Sequence, residues 1–265
     1  MSAFGRSRLD ITNGELVERA IAEFDPFAVF NAAAYNMVDV AEREPLQAFE
    51  TNALAVRNLA LACRQNDAKL VHFSTDYVFD GTLGRPYTEK DQVRPLGAYA
   101  VSKLAGELYA QAYLDRAIVI RTSGVFGVGA LKTARGNFPE VMLRLAREGK
   151  PIRVVEDHLA SPTFAPALAS RSIDLLERSL VDESISGVFH LGGAQPISWF
   201  EFAKLILATA GVNAEVEATN DREYRTAARR PKFSALENAR SKEHGMPSMP
   251  GLGEAVETYL LTRGK

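Results

Sequence analysis

Three short apolar runs, each closing on small or polar residues, constrain this chain most. They are Ala28-Val29-Phe30-Asn31, Lys69-Leu70-Val71-His72-Phe73 and Ala117-Ile118-Val119-Ile120-Arg121. Each has strand length and is rich in β-branched or aromatic residues. Long helical patterns lie between them. Asn13 or Thr12 can cap a helix carrying Leu16, Ile21 and Phe24; Pro45 can open another that runs to Gln65; the Ala- and Leu-rich run from Gly97 to Leu114 makes a third. Strands alternating with helices predict a parallel, doubly wound α/β sheet. In such sheets ligands collect beyond the carboxyl ends of the strands. Two of these strands end suggestively. Asn31 is followed by Ala32-Ala33-Ala34, which lets a flat ligand approach the backbone, and Phe73 is followed by Ser74-Thr75-Asp76.

The third helical pattern contains Tyr99-Ala100-Val101-Ser102-Lys103. Residues four apart share a helix face. A phenol ionises near pH ~10, and a neighbouring ammonium favours the phenolate. Such a pair is a proton donor usable near neutral pH. Spacing alone also fits an ordinary surface pair. The strand ends and the Tyr/Lys pair, in this order, narrow the choice.

Taken together, these segments resemble an extended short-chain dehydrogenase/reductase, and more narrowly the dTDP-4-dehydrorhamnose reductase family. The resemblance runs from Leu9-Asp10-Ile11-Thr12 through Asn31 to Tyr35, Val38-Asp39, Asn52 and Ser74 to Gly81. It continues through Tyr99 to Lys103, Arg121-Thr122-Ser123, Asn137-Phe138, Ser161-Pro162-Thr163 and Arg230-Pro231. It implies a Rossmann-like fold using NADP or NAD, and reduction of a 4-keto nucleotide sugar. The resemblance makes Thr75, Tyr99 and Lys103 the catalytic set. It assigns cofactor contacts to Ala33, Ala34, Asn36, Phe73, Ser74, Tyr99 and Lys103, and substrate contacts to Thr75, Asp76, Asn137 and Arg230. Two rivals share the likeness: another epimerase or dehydratase of the same fold, and a non-catalytic subunit like the β subunit of methionine adenosyltransferase.

Two departures carry expectations. The family has Trp after Arg-Thr-Ser, where this chain has Gly124, so the substrate pocket is expected to be wider there. The family also opens with a strand and a Gly-rich phosphate loop, and neither precedes Asn31 here. The strand at Ala28 is therefore expected at a sheet edge, covered by residues 2–9, paired with a second copy, or open. The dinucleotide is expected to bind weakly.

The remaining chain reads as a smaller substrate-binding region. Residues 1–130 form the Rossmann-like part, with 160–190 added to it, and residues 131–265 form mainly the substrate region. Helices are expected over Phe138–Glu148, Pro166–Leu180, Ser198–Ala210 and Gly251–Thr262, strands over Pro151–Val155, Gly187–Leu191 and Ala214–Glu217, and a loop over Lys132–Gly136. The basic stretch holding Arg222, Arg225, Arg229, Arg230 and Lys232 reads either as a solvated loop or as a diphosphate clamp. Asp39 and Glu42 are a polar face, and no metal site is assigned. A net charge of −2 gives no reason to expect nucleic-acid binding, and no apolar run is long enough to cross a membrane. The single cysteine, Cys63, fits core packing and a reducing cytoplasm. A homodimer is compatible with all of this.

Overall fold

The computed structural model describes residues 2–132, 136–223 and 225–264. In chain order the elements are α1 (Gly14–Phe24), β1 (Ala28–Asn31), α2 (Val38–Ala41), α3 (Pro45–Phe49), α4 (Ala55–Gln65), β2 (Lys69–Thr75), α5 (Ala98–Tyr113), β3 (Ile118–Thr122) and α6 (Phe138–Arg147). There follow β4 (Ile152–Val155), β5 (Leu159–Ala160), α7 (Ala165–Ser179), β6 (Gly187–His190), β7 (Ile197–Ser198), α8 (Trp199–Thr209), β8 (Val216–Thr219), α9 (Ala239–Glu243) and α10 (Leu252–Thr262). The main sheet is parallel, in the order β1-β2-β3-β6. Thr75 pairs with Thr122 in this register, so both strands end at the same level.

Strand periodicity explains the layers. Leu70 and Val119 point to one face, into a core with Val17 and Ile21 of α1, Val56 and Leu59 of α4, and Ala110 of α5. Val71, Ile118 and Ile120 point to the other, into a core with Leu168, Leu175 and Leu176 of α7 and Phe189 of β6. Helices on both faces make the sheet doubly wound, as the alternation predicts. A separate core gathers Phe126, Leu143 of α6, Ile152 of β4, Phe202 and Ile206 of α8, and Val256 and Tyr259 of α10.

Several expectations shift in detail. Asn13, not Thr12, caps α1, and its Oδ1 accepts from the Leu16 amide. Leu16 and Phe24 face solvent while Val17 and Ile21 are buried, so the inner stripe of α1 is offset from the one expected. β2 extends to Thr75, which places Ser74 and Thr75 in the ladder. Of the expected loop, residues 133–135 lie outside the described residues. β1 is an edge of the sheet. Leu9 and Ile11 pack against the same core as Val29, and the N-terminal stretch forms no strand among its described residues.

The run from Pro45 to Gln65 is helical throughout, with a π turn at Glu50–Leu54. A π turn widens the helix and displaces a carbonyl. Here the Asn52 carbonyl meets α5 at Gly106. A Cβ on Gly106 would stand 2.1 Å from the Asn52 oxygen, so only glycine permits this approach.

The other anchor of α5 is an ion pair. Arg121 at the end of β3 meets Glu107 of α5 with Nη2 2.7 Å from Oε2 and Nε 3.0 Å from Oε1, and both side chains are buried. Ser74 of β2 donates to Glu107 Oε1 at 2.5 Å. The Arg121 guanidinium also lies over the Phe79 ring, 5.3 Å from its centre. Two strands are thus tied to the helix that bears Tyr99 and Lys103. Removing one partner strands a buried charge, at roughly 3–5 kcal/mol. Glu107→Ala is therefore expected to lose roughly 3–5 kcal/mol in urea unfolding. The double variant Glu107→Leu/Arg121→Met should lose less than the sum of its two single changes, and additive losses would contradict the pairing.

Candidate active site

Tyr99 and Lys103 sit one turn apart in the first half of α5. Lys103 is buried, and its Nζ donates to the Phe73 carbonyl of β2 at 2.6 Å. Burial lowers its pKa to about 8, although Glu107 one turn on favours the charge. The Tyr99 hydroxyl stays partly open and donates to Asn36 Oδ1 at 3.4 Å. Its ring meets Tyr77 edge to face, with centres 6.2 Å apart. Burial and the adjacent Asp76 carboxylate push the Tyr77 phenol up to about 12.

The loop after β1 is pinned at both ends. Asn31 Oδ1 accepts from the Ala33 amide at 3.1 Å, and its Nδ2 lies 3.1 Å from His72 Nδ1 in the next strand. With Oδ1 engaged, Asn31 donates and His72 accepts, so the imidazole is neutral. Complete burial, with Lys103 nearby, holds its pKa well below the usual value. Further on, Asn52 in the π turn accepts from the Tyr35 amide at 2.8 Å and donates to the Tyr35 carbonyl at 3.0 Å. It also donates to Ser102 of α5 at 3.0 Å. Between these clamps Ala33 is exposed and Ala34 half-exposed, beyond the end of β1.

Asp76 is a hub. Its carboxylate accepts from Thr75 at 3.2 Å, from Ser123 after β3 at 2.7 Å and from Ser234 of the C-terminal region at 2.5 Å. Its carboxyl is buried, and burial outweighs these bonds and raises its pKa to about 6. Thr75 Oγ1 also accepts from the Tyr77 amide at 3.2 Å.

The residues expected at the site therefore separate. Thr75, Phe73, Ala33, Ala34, Asn36, Tyr99 and Lys103 gather around the ends of β1 and β2 and the start of α5. Ser74 is turned away, with its hydroxyl committed to Glu107. Arg230 pairs bidentately with Asp39, at 2.7 and 3.1 Å, and is a latch between the C-terminal loop and α2. Asn137 is buried and caps α6, accepting from the Glu140 amide at 3.0 Å and donating to the Gly127 carbonyl at 3.0 Å. Lys232 pairs with Asp157, while Arg222, Arg225 and Arg229 are exposed. Gly124 does not leave a plain gap. It has φ +52, and a Cβ there would meet Trp199 Cη2 at 3.1 Å.

The sequence assigns no site role to Glu107, His72 or Ser234, and it singles out Asn52 only through the family resemblance, without a role. Glu107 had a signal: it follows Lys103 by one helical turn, and Arg121 closes an otherwise apolar strand that needs an acid. No group of three or more metal-ligating side chains occurs among the described residues.

The Asp76 carboxyl makes a pH prediction. The folded chain holds its proton more tightly than the unfolded chain does, so between about pH 4 and 6 folding takes up protons and stability falls as pH rises. Relative to Asp76→Asn, the unsubstituted chain should lose up to about 3 kcal/mol from pH 4 to pH 7 in urea unfolding. A relative gain over that range would contradict the buried hub.

The family model described as RmlD substrate binding domain matches residues 1–263. The chain is 37% identical over 238 residues to the dTDP-4-dehydrorhamnose reductase of Aggregatibacter actinomycetemcomitans, covering 87% of this chain and 79% of that protein. It is 34% identical over 258 residues to the Escherichia coli (strain K12) dTDP-4-dehydrorhamnose reductase, covering 95% and 84%. The crystal structure of the Bacillus anthracis dTDP-4-dehydrorhamnose reductase in complex with NADP superposes with a TM-score of 0.89 at 34% identity, covering 97% of this chain and 88% of that one. On these matches, with an α/β sheet that carries a Tyr/Lys pair on the helix beside its strand ends, the chain belongs to the dTDP-4-dehydrorhamnose reductase family.

Proposed function

We propose that this chain reduces the 4-keto group of dTDP-4-dehydrorhamnose with NADPH or NADH, within dTDP-rhamnose synthesis. The observation that carries the reading is the Lys103 bond to the Phe73 carbonyl, which fixes the Tyr/Lys turn of α5 against the strand that ends in Thr75. A non-catalytic binding subunit has no use for that arrangement.

The residues fit the coenzyme unevenly. Toward the nicotinamide and its ribose, Ala33, Ala34, Tyr99 and Lys103 offer small side chains, a hydroxyl and an ammonium. Toward the pyrophosphate the fold uses a Gly-rich turn at a helix N-terminus. No described residue supplies such a turn beside β1, where residues 2–27 contribute α1 and no strand. The bound coenzyme supplies a hydride to the ketone carbon. Tyr99 gives its hydroxyl proton to the ketone oxygen, and Lys103 stabilises the phenolate that remains. Thr75 donates to the same oxygen once its hydrogen turns from Asp76. Ser123 and Ser234 keep Asp76 hydrogen-bonded when that happens, so the turn costs little. The sheet with α1 to α5 and α7 forms the coenzyme-binding part, and the core of α6, α8 and α10 the substrate part. The buried Cys63 fits a reducing cytoplasm.

The test is reduction of dTDP-4-dehydrorhamnose at saturating NADPH. Turnover is expected, and Tyr99→Phe should lower it roughly 10²–10⁴-fold with folding intact. A variant that keeps a tenth of the rate would remove Tyr99 from the acid role. Absence of turnover in the unsubstituted chain, with coenzyme and substrate both bound, would favour the non-catalytic reading.

Calorimetric titration of the 265-residue chain with NADPH and NADH should show weak binding. A dissociation constant in the low micromolar range would mean that the pyrophosphate is held without the glycine turn.

A further inference from the structure

The structure assigns Trp199 as an aromatic wall of the sugar-nucleotide site, with Gly124 kept free of a side chain so that the indole can stand there. This deepens the reductase reading and rests on it. The ligand is a nucleoside diphosphate sugar, whose flat base or ring face packs on the indole.

The placement follows the chain. β3 ends at Thr122, the register partner of Thr75. Ser123 donates to Asp76, and Gly124 comes next. Gly124 thus lies beyond the carboxyl end of the sheet, two residues from the level of Thr75, where open α/β sheets receive ligands. At φ +52 its backbone is unfavourable for a side chain, and the space a side chain would need holds the Trp199 indole: Cη2 and Cζ2 are 3.1 and 3.6 Å from a built Cβ.

The ring is braced and partly open. Trp199 is the first residue of α8, which Ser198 caps through the Glu201 amide, and the Trp199 amide donates to the His158 carbonyl at 3.2 Å. Phe138 meets the indole at 4.8 Å and 63°, and Phe202 lies 6.1 Å away. Phe202 is fully buried, whereas Trp199 keeps part of its surface exposed. A tryptophan backed by a core, only partly buried and standing next to a glycine that follows a strand end, is a rigid platform for a planar or ring-shaped group.

Trp199 is the sole tryptophan, so the fluorescence of the intact chain reports on this ring alone. The probe is dTDP, added without coenzyme and followed by fluorescence and by calorimetry. Emission is expected to change and to saturate at the calorimetric dissociation constant. Trp199→Leu should weaken dTDP binding roughly five-fold or more, and Trp199→Phe should restore most of that loss. Urea unfolding of both variants separates a binding effect from a folding one. If dTDP binds by calorimetry while emission stays unmoved, or if folded Trp199→Leu binds it undiminished, Trp199 is a core residue and the assignment falls while the reductase reading stands. If dTDP does not bind at all, the functional reading falls and the assignment with it.

Discussion

The site depends first on how α5 is held against the sheet. A helix over parallel strands can slide or rotate unless something directional fixes it, and apolar packing is not directional. Glu107 provides that direction. One carboxylate takes a two-point contact from Arg121 of β3 and a hydroxyl from Ser74 of β2, inside the core, where a misplaced charge is expensive. One turn earlier, Lys103 reaches the Phe73 carbonyl. On the opposite flank Gly106 lets the Asn52 carbonyl close in. Rotation of α5 by one residue would break all three contacts. The position of Tyr99 is therefore set largely through its own helix, by Glu107, Gly106 and Lys103.

A second set of bonds ties the C-terminal region to the strand ends. Asp76 receives Ser234, Asp39 receives Arg230, and the Ala228 amide also donates to Asp39 at 3.0 Å. The segment 228–234 therefore straps both loops that follow β1 and β2. The two ties differ in kind. Asp39 meets a guanidinium in a half-exposed place, where the ion pair is worth little by itself and acts through geometry. Asp76 meets no cation among the described residues, and its burial outweighs the three hydroxyls that donate to it, which is why its proton is retained to a higher pH.

Much of this was legible in the sequence. The short apolar runs and the helical patterns predict every strand of the main sheet and every long helix, with end errors of a few residues, because a sheet covered on both faces buries consecutive strand residues. The family resemblance names the Tyr/Lys pair and the strand-end hydroxyls as a set. Side-chain partnership was not legible. Arg230 in a basic stretch reads as a phosphate clamp, because nothing local shows that Asp39, far away in the chain, meets it. Asn137 reads as a substrate contact, while its neighbours make it a helix cap. Asp76 follows Thr75 and reads as substrate-facing, yet its partners Ser123 and Ser234 come from distant segments. Each of these depends on a long-range contact that spacing does not encode. The π turn is hidden too, because a helical pattern with one extra residue per turn looks like an ordinary helix over a few residues.

The two halves of the reaction centre are built to different degrees within these contacts. Thr75 and Lys103, which would act on the ketone, are held by bonds among β2, β3, α5 and the C-terminal strap, while the Tyr99 hydroxyl also donates to Asn36 in the loop after β1. In folds of this kind the pyrophosphate lies at the first strand-helix turn, which would be on the outer flank of β1. β1 pairs only with β2 among the described residues, and Leu9 and Ile11 pack into the core on one face of the sheet and offer the strand no ladder. Asn31, the last residue of β1, is nevertheless buried and oriented by His72 from the paired side. The Ala33 turn is thereby held through β2 and does not need a strand on the outer flank.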